Sequence, residues 1–231
     1  MSSLVIAFIY LLVVYLLFKV FLKQRLLAFI IGKCVPCSNK LTGSYKRELF
    51  ASLSGIQGEV LELGIGTGAN LAYYPDGIEI VGLDPNPYMS PKLEEALRKH
   101  PEVKLKKMLA GKAEDLSAVA GDNSYEAVVE TMMLCSVVDT SKCLSEIKRV
   151  LKKGGRFYFL DHTVDPESFW MRCVQYLLMP LWYPLFDCSM IMKTWQEIER
   201  AGFSNVSYKK LYLTKSFVPF LRAYIIGYAE K

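Results

Sequence analysis

The residues with the chemistry to bind a ligand and act on it fall in four short stretches. The first is Leu61-Glu62-Leu63-Gly64-Ile65-Gly66-Thr67-Gly68-Ala69-Asn70, where three alternating glycines follow a short apolar run. Glycine accepts positive φ and lets a ligand approach the main chain, and a helix starting after the turn would add its free N–H donors. The spacing is G-x-G-x-G, not the G-x-G-x-x-G that cradles a dinucleotide pyrophosphate. With no pyrophosphate to hold, the carboxylate of Glu62 suits a cationic ligand, directly or through water. In the second stretch, Val81-Gly82-Leu83-Asp84-Pro85-Asn86, Asp84 closes an apolar run and can accept both hydroxyls of a ribose. The third is Gly111-Lys112-Ala113-Glu114-Asp115-Leu116. An acidic pair there can accept from an adenine amino group while the main chain at Ala113 reads the ring edge. Its other reading is a helix N-terminal cap. The fourth is Asp161-His162, either a base or polariser for an acceptor group or a histidine that supports its own loop. His100, at the end of a surface helix, reads as a C-terminal cap.

These stretches need elements to hold them. Short apolar runs predict strands over 59–63, 78–83, 103–109, 125–131 and 156–161, with Lys153-Gly154-Gly155 turning into the fifth. Helical spacing falls between them, after the glycine turn and over 91–100, 140–151 and 193–201, and two last strands lie near 206–213 and 223–229. Such alternation implies a mostly parallel sheet with helices on both faces. Residues 169–192 are apolar and aromatic, interrupted by Pro180 and Pro184. They read as a helix on the sheet edge and also as a lid over a lipophilic pocket that touches a bilayer surface.

Leu4 to Phe18 is an unbroken run of fifteen apolar residues, extended past Lys19 by Val20-Phe21-Leu22. Nineteen helical residues reach roughly 28 Å, close to the hydrocarbon thickness of a bilayer. The basic residues Lys19, Lys23, Arg25 and Lys33 follow the run rather than precede it, which argues against a cleaved signal peptide and leaves the rest of the chain cytosolic. The anchor is a single crossing or, with Leu26–Ile31, a hairpin in one leaflet. Pro36 and Ser38-Asn39 are expected to end it and to start a new helix over 40–53. The division is therefore an anchor over 1–33, a linker and lead-in helix over 34–57, and a catalytic domain over 58–231 with its aromatic segment at 165–192. Cys34-Val35-Pro36-Cys37 lacks a second cysteine pair, so free or acylated thiols are expected and no metal. The first 47 residues carry seven Lys/Arg and no Asp/Glu, leaving 21 basic against 23 acidic residues for the remainder. The net charge of +5 thus belongs to the anchor and not to a surface that could follow phosphates, so no nucleic-acid partner is expected.

Taken together, Glu62-x-Gly64-x-Gly66-x-Gly68, Asp84, Ala113-Glu114-Asp115 and Leu151-x-x-Gly154-Gly155 resemble the class I S-adenosylmethionine-dependent methyltransferases. Lys46–Phe50, Asp84-Pro85-Asn86-Pro87, Leu134-Cys135-Ser136-Val137, Tyr158–His162, Leu185-Phe186-Asp187 and Ile226–Ala229 are similar to the membrane-anchored methyltransferase-like protein 7 family. Those are thiol S-methyltransferases of endoplasmic reticulum and lipid droplets. The chain departs from that pattern at Asp161, where Glu is usual. The resemblance implies a Rossmann-like seven-stranded α/β sheet whose last strand is antiparallel, with a membrane-anchor helix before it. It implies S-adenosylmethionine across the carboxyl ends of the first strands, bound by Glu62, Gly64, Gly66, Gly68, Asp84, Ala113, Glu114, Asp115 and Thr131. Thr131 would meet the methionine end, His162 would be the catalytic candidate, and Cys135 reads as packing. The expected reaction is in-line methyl transfer to a small lipophilic thiol. The alternatives are a quinone-like phenol or lipid head group as acceptor, or a non-catalytic scaffold that keeps the fold.

Overall fold

The computed structural model describes residues 3–213 and 218–231. The strands are β1 (Val60–Leu63), β2 (Glu79–Leu83), β3 (Lys104–Leu109), β4 (Tyr125–Thr131), β5 (Leu151–His162), β6 (Asn205–Tyr212) and β7 (Ala223–Glu230). They form one seven-stranded sheet in the order β3-β2-β1-β4-β5-β7-β6, in which β7 runs antiparallel to both its neighbours. The parallel strands are covered on both faces, so β1 and the centre of β4 are buried throughout and apolar except at Glu62 and Glu130, which are buried as well. One face packs Val60, Ala127 and Val129 against Phe50 and Leu93; the other packs Leu61, Leu63 and Val128 against Leu144 and Ile147. The covering helices are α2 (Lys23–Ala51), α3 (Ser90–Lys99), α4 (Thr140–Val150) and α6 (Thr194–Arg200). Strand order reverses between β1 and β4, which opens a crevice at their carboxyl ends where ligands of such sheets bind.

Three sequence expectations change here. No α-helix follows the glycine turn; Leu71–Tyr73 makes a single 3-10 turn. A helix there would have too few residues before Pro75, and the Asn70 side chain is drawn inward by Glu62 and Thr131 instead. Pro36 does not end a helix, because α2 runs unbroken from Lys23 to Ala51 with Pro36 inside it. An interior proline costs about 3 kcal/mol. Contacts on both sides of it hold the helix to the domain: Lys23 to Asp187 at 2.6 Å and the Asn39 amide to the Ala69 carbonyl at 3.1 Å.

The third change concerns the anchor. Helix α1 (Ser3–Leu17) has 15 residues, a length of about 22 Å at the helical rise. Among the described residues no helix is long and apolar enough to cross a membrane. The apolar run expected to cross at 4–22 is divided by a π-turn at Phe18–Leu22 and stopped where Lys23 is pulled onto the domain, while residues 1–2 lie outside the described residues. Every large apolar side chain from Leu4 to Leu17 is at least 42% exposed. Helix α5 (Phe169–Phe186) is also turned inside out. Its buried residue is Gln175, which accepts from the Asp165 N–H at 2.9 Å and donates to the Phe220 carbonyl at 2.8 Å. Phe169, Trp170, Tyr176, Leu177, Leu181 and Leu185 face outward.

Candidate active site

The glycine turn leaves β1 with Gly64, Gly66 and Gly68 all at positive φ, between 54° and 75°. Gly64 N–H donates to the Leu83 carbonyl at 2.8 Å, and Gly66 N–H donates to Asp84 Oδ2 at 3.0 Å. At Gly68 a Cβ would lie 2.9–3.0 Å from Leu71, Ala96 and Leu93, so glycine is required there for close packing on α3. At Gly66 the nearest atoms to a Cβ are 3.7 and 3.9 Å away, so it is the conformation that selects glycine, and the space beside it stays open. Asp84 also accepts the Asn86 N–H through Oδ1 at 2.8 Å; burial raises its pKa, and those two amide donors oppose the rise. Each oxygen keeps a free lone pair for a diol.

Glu62 sits beneath the turn rather than facing the crevice, 1% exposed. Its Oε1 accepts from Asn70 Nδ2 at 2.7 Å and its Oε2 from the Tyr74 hydroxyl at 2.9 Å. Asn70 Nδ2 also lies 2.9 Å from Thr131 Oγ1, so one amide joins the ends of β1 and β4 across the point where strand order reverses. Burial pushes Glu62 up to about 7 against the pull of Asn70, Tyr74 and Lys46. Lys46, on α2, is itself lowered to about 8 by burial and donates to Asn39 Oδ1 at 2.9 Å. Sequence reasoning missed Asn39, Lys46 and Tyr74. Asn70 carried a signal, ending the glycine stretch with a polar side chain.

Ala113 is buried, Glu114 Oε1 accepts the Val138 N–H at 2.8 Å, and Asp115 Oδ1 accepts the Ser117 N–H and hydroxyl at 3.1 and 2.6 Å. The Ser117 hydroxyl holds the exposed Asp115 carboxylate below its usual range. Asp115 thus caps a local turn, while Glu114 braces the loop after β4.

That loop begins with Met132 at φ 58°, an uncommon conformation for a residue with a side chain. Glu130 Oε2 holds it by accepting the Met133 N–H at 2.9 Å, and Met133 packs where a Cβ on Gly64 would lie. Two residues on, Cys135 meets His162 from the end of β5 and Cys188 from beyond α5, with the three ligand-type atoms within 4.8 Å of one another. His162 Nε2 is 2.9 Å from Cys188 Sγ. Cys135 draws the Cys188 thiol down to about 4, against burial and with His162 adding to the effect. Burial alone would lower His162; the neighbouring sulfur outweighs it and raises the imidazole to about 9. By sequence alone Cys135 reads as packing and Cys188 carries no signal. A polar cleft of about 570 Å³ lined by Glu59, Glu79 and Lys106 lies at the opposite, amino ends of the strands, away from this site.

The sheet order, the glycine turn and the acidic residue ending β2 together define a class I S-adenosylmethionine-dependent methyltransferase. A family model described as a methyltransferase domain matches residues 61–159. Human thiol S-methyltransferase TMT1A is 36% identical over 199 residues, 84% of this chain and 81% of that protein. Human thiol S-methyltransferase TMT1B is 33% identical over 209 residues, 88% of this chain and 85% of that protein. The chain belongs to this thiol S-methyltransferase family. In fold it is similar to a SAM-dependent methyltransferase from Thermotoga maritima, with a TM-score of 0.57 and 21% identity over 88% of this chain and 99% of that one.

The residues present fit S-adenosylmethionine, the cofactor of this family. The open space at Gly66 admits a ligand against the main chain, and Asp84 offers acceptors to a ribose.

Proposed function

We propose that this methyltransferase acts on a small lipophilic thiol, from the cytosolic face of the endoplasmic reticulum membrane and the lipid droplet. The observation that carries the thiol reading is the match, over more than four-fifths of both chains, to a protein named as a thiol S-methyltransferase. The cofactor supplies an electrophilic methyl group. The chain's own part is to position the two reactants, worth up to about 7–11 kcal/mol, and to exclude water. Glu62, Asn70 and Thr131 fix the glycine turn against β4, and Asp84 orients a ribose. Ala113, Glu114 and Asp115 belong to the adenine end, and His162 to the acceptor end. A thiol has a pKa near 8.5, so about a few per cent is already thiolate at neutral pH.

Two apolar surfaces support membrane attachment. The side chains of α1 and the outward face of α5 are both exposed, and the Lys23–Asp187 ion pair joins the start of α2 to the residue capping α5. A lipophilic acceptor would then arrive beneath α5, from the bilayer that both surfaces contact. The basic residues after α1 favour a cytosolic catalytic domain.

The test is methyl transfer from S-adenosylmethionine by purified full-length protein to ethanethiol, set beside a phenol of similar size. Turnover of the thiol alone is expected; turnover of the phenol alone would sink the reading. For the anchor, wild-type protein should float with phosphatidylcholine vesicles in a density gradient. Leu12→Asp combined with Leu16→Asp should stay at the bottom while still binding cofactor. Equal flotation of the two proteins would remove α1 from membrane attachment.

A further inference from the structure

We propose that Cys135, His162 and Cys188 bind one zinc ion and leave a fourth position for the sulfur of the acceptor thiol. This rests on the thiol reading above and specifies how the acceptor would be held. The three side chains come from separate segments: the turn after β4, the end of β5 and the residue following the left-handed cap of α5. Their ligand atoms all lie within 4.8 Å of one another. Tetrahedral zinc, with bonds of about 2.3 Å to sulfur and 2.0–2.1 Å to nitrogen, places ligand atoms roughly 3.4–3.8 Å apart. The Nε2–Sγ edge between His162 and Cys188, at 2.9 Å, is shorter than this, so a zinc ion requires those two side chains to rotate apart by about half an ångström while Cys135 stays within reach.

The frame around the cluster is rigid. Asp161 Oδ2 accepts the Cys135 N–H at 3.0 Å, Ser189 N–H donates to the Cys135 carbonyl at 2.7 Å, and the Thr194 hydroxyl donates to the His162 carbonyl at 3.3 Å. Those bonds tie the three ligand-bearing segments to one another. Asp161 Oδ1 and His162 Nδ1 are buried with no hydrogen-bond partner among the described residues. His162 Nε2, which faces Cys188 Sγ, would be the ligand atom, and the ring proton would then sit on Nδ1.

Two thiolates and an imidazole are a donor set that selects zinc or another soft cation. Three protein ligands with one open position is the arrangement of a reactive site, whereas structural zinc sites are closed by four. Cys135 and His162 are buried and Cys188 is partly exposed, so the open side is that of Cys188 and α5. A thiol entering there loses its proton to solvent as the S–H bond breaks, and the freed electron pair forms the metal–sulfur bond. Metal-bound thiols are deprotonated outright, which holds the acceptor as thiolate below the pKa of the free thiol. The Cys34–Cys37 pair offers no such set: it lies on α2 with no third ligand among the described residues.

The test titrates cobalt(II), a coloured stand-in for zinc, into chelator-treated full-length protein kept reduced with a phosphine. One equivalent per chain is expected, with a thiolate-to-cobalt absorption band that zinc displaces. The band should vanish in Cys188→Ser and persist in Cys34→Ser combined with Cys37→Ser. S-adenosylmethionine binding by calorimetry establishes that Cys188→Ser is folded. Added ethanethiol should shift the cobalt ligand-field bands. No stoichiometric uptake, or a band that survives Cys188→Ser, would overturn the site, and bands indifferent to ethanethiol would overturn the open position. Chelated protein that methylates ethanethiol at the full rate would overturn the metal's role and leave the thiol reading standing. Metal uptake and thiol ligation without methylation would instead defeat the thiol reading alone.

Discussion

Gly66→Arg is expected to abolish S-adenosylmethionine binding while leaving the fold in place. Gly66 adopts φ 54°, and an L-residue in that region costs about 1–2 kcal/mol. Nothing lies closer than 3.7 Å to where its Cβ would stand, so the side chain need not displace the core. It would project into the open space that the three glycines leave beside the main chain, next to the carboxylate of Asp84. Calorimetry should find affinity lowered roughly 100-fold or more, equivalent to about 2.7 kcal/mol. Thermal unfolding should shift by only about 2–8 °C for a domain of this size. Binding within a factor of ten of wild type would remove the glycine turn from the cofactor site.

Glu62 gives the second large effect, on stability rather than binding. Burial holds its folded-state pKa at about 7, against about 4.3 for an exposed glutamate. Between those values the native protein keeps a proton that the unfolded chain has released. Stability contributed by Glu62 is therefore fully present at low pH, falls as pH rises through this window, and is flat above about 7. The change amounts to about 4 kcal/mol. Lys46, lowered to about 8, adds the opposite slope only above that pH, because there the unfolded chain holds the extra proton. Urea unfolding of cofactor-free protein between pH 5 and 7.5 should thus show a steeper loss of stability in wild type than in Glu62→Gln. The Tyr74 hydroxyl can accept from the new amide, so the variant keeps its hydrogen bonds. Identical slopes for the two proteins would mean that Glu62 ionises as an exposed carboxylate does.

Much of the cofactor end was legible in the sequence because its causes are local. Three alternating glycines are the residues that a turn with repeated positive φ demands, and all three have it. Asp84 ends β2 because an apolar run of strand length stops there, and the strands themselves follow from such runs. The final helix and the last two strands fall within a residue or two of their expected places. The role of Glu62 was not legible. Its place in the motif suggested an open carboxylate, but Asn70 and Tyr74 take both oxygens and make it a support beneath the turn.

The remainder depended on contacts between distant segments. Pro36 signals a helix end locally, yet α2 continues because Lys23 and Asn39 are held by the domain on either side of it. The aromatic segment at 169–186 has the composition of a buried helix, and only the tertiary structure places Gln175 inside and the aromatic rings outside. Cys188 stands 26 residues from His162 in the chain and 2.9 Å from it in space, after a helix that carries it back to the end of β5. By itself the sequence determined the turn, the strands and the class of cofactor, since backbone geometry and apolar periodicity act over a few residues. Only the folded chain decided which sulfurs meet the imidazole and which way α5 faces, because those contacts form where a parallel sheet brings separate strand ends together.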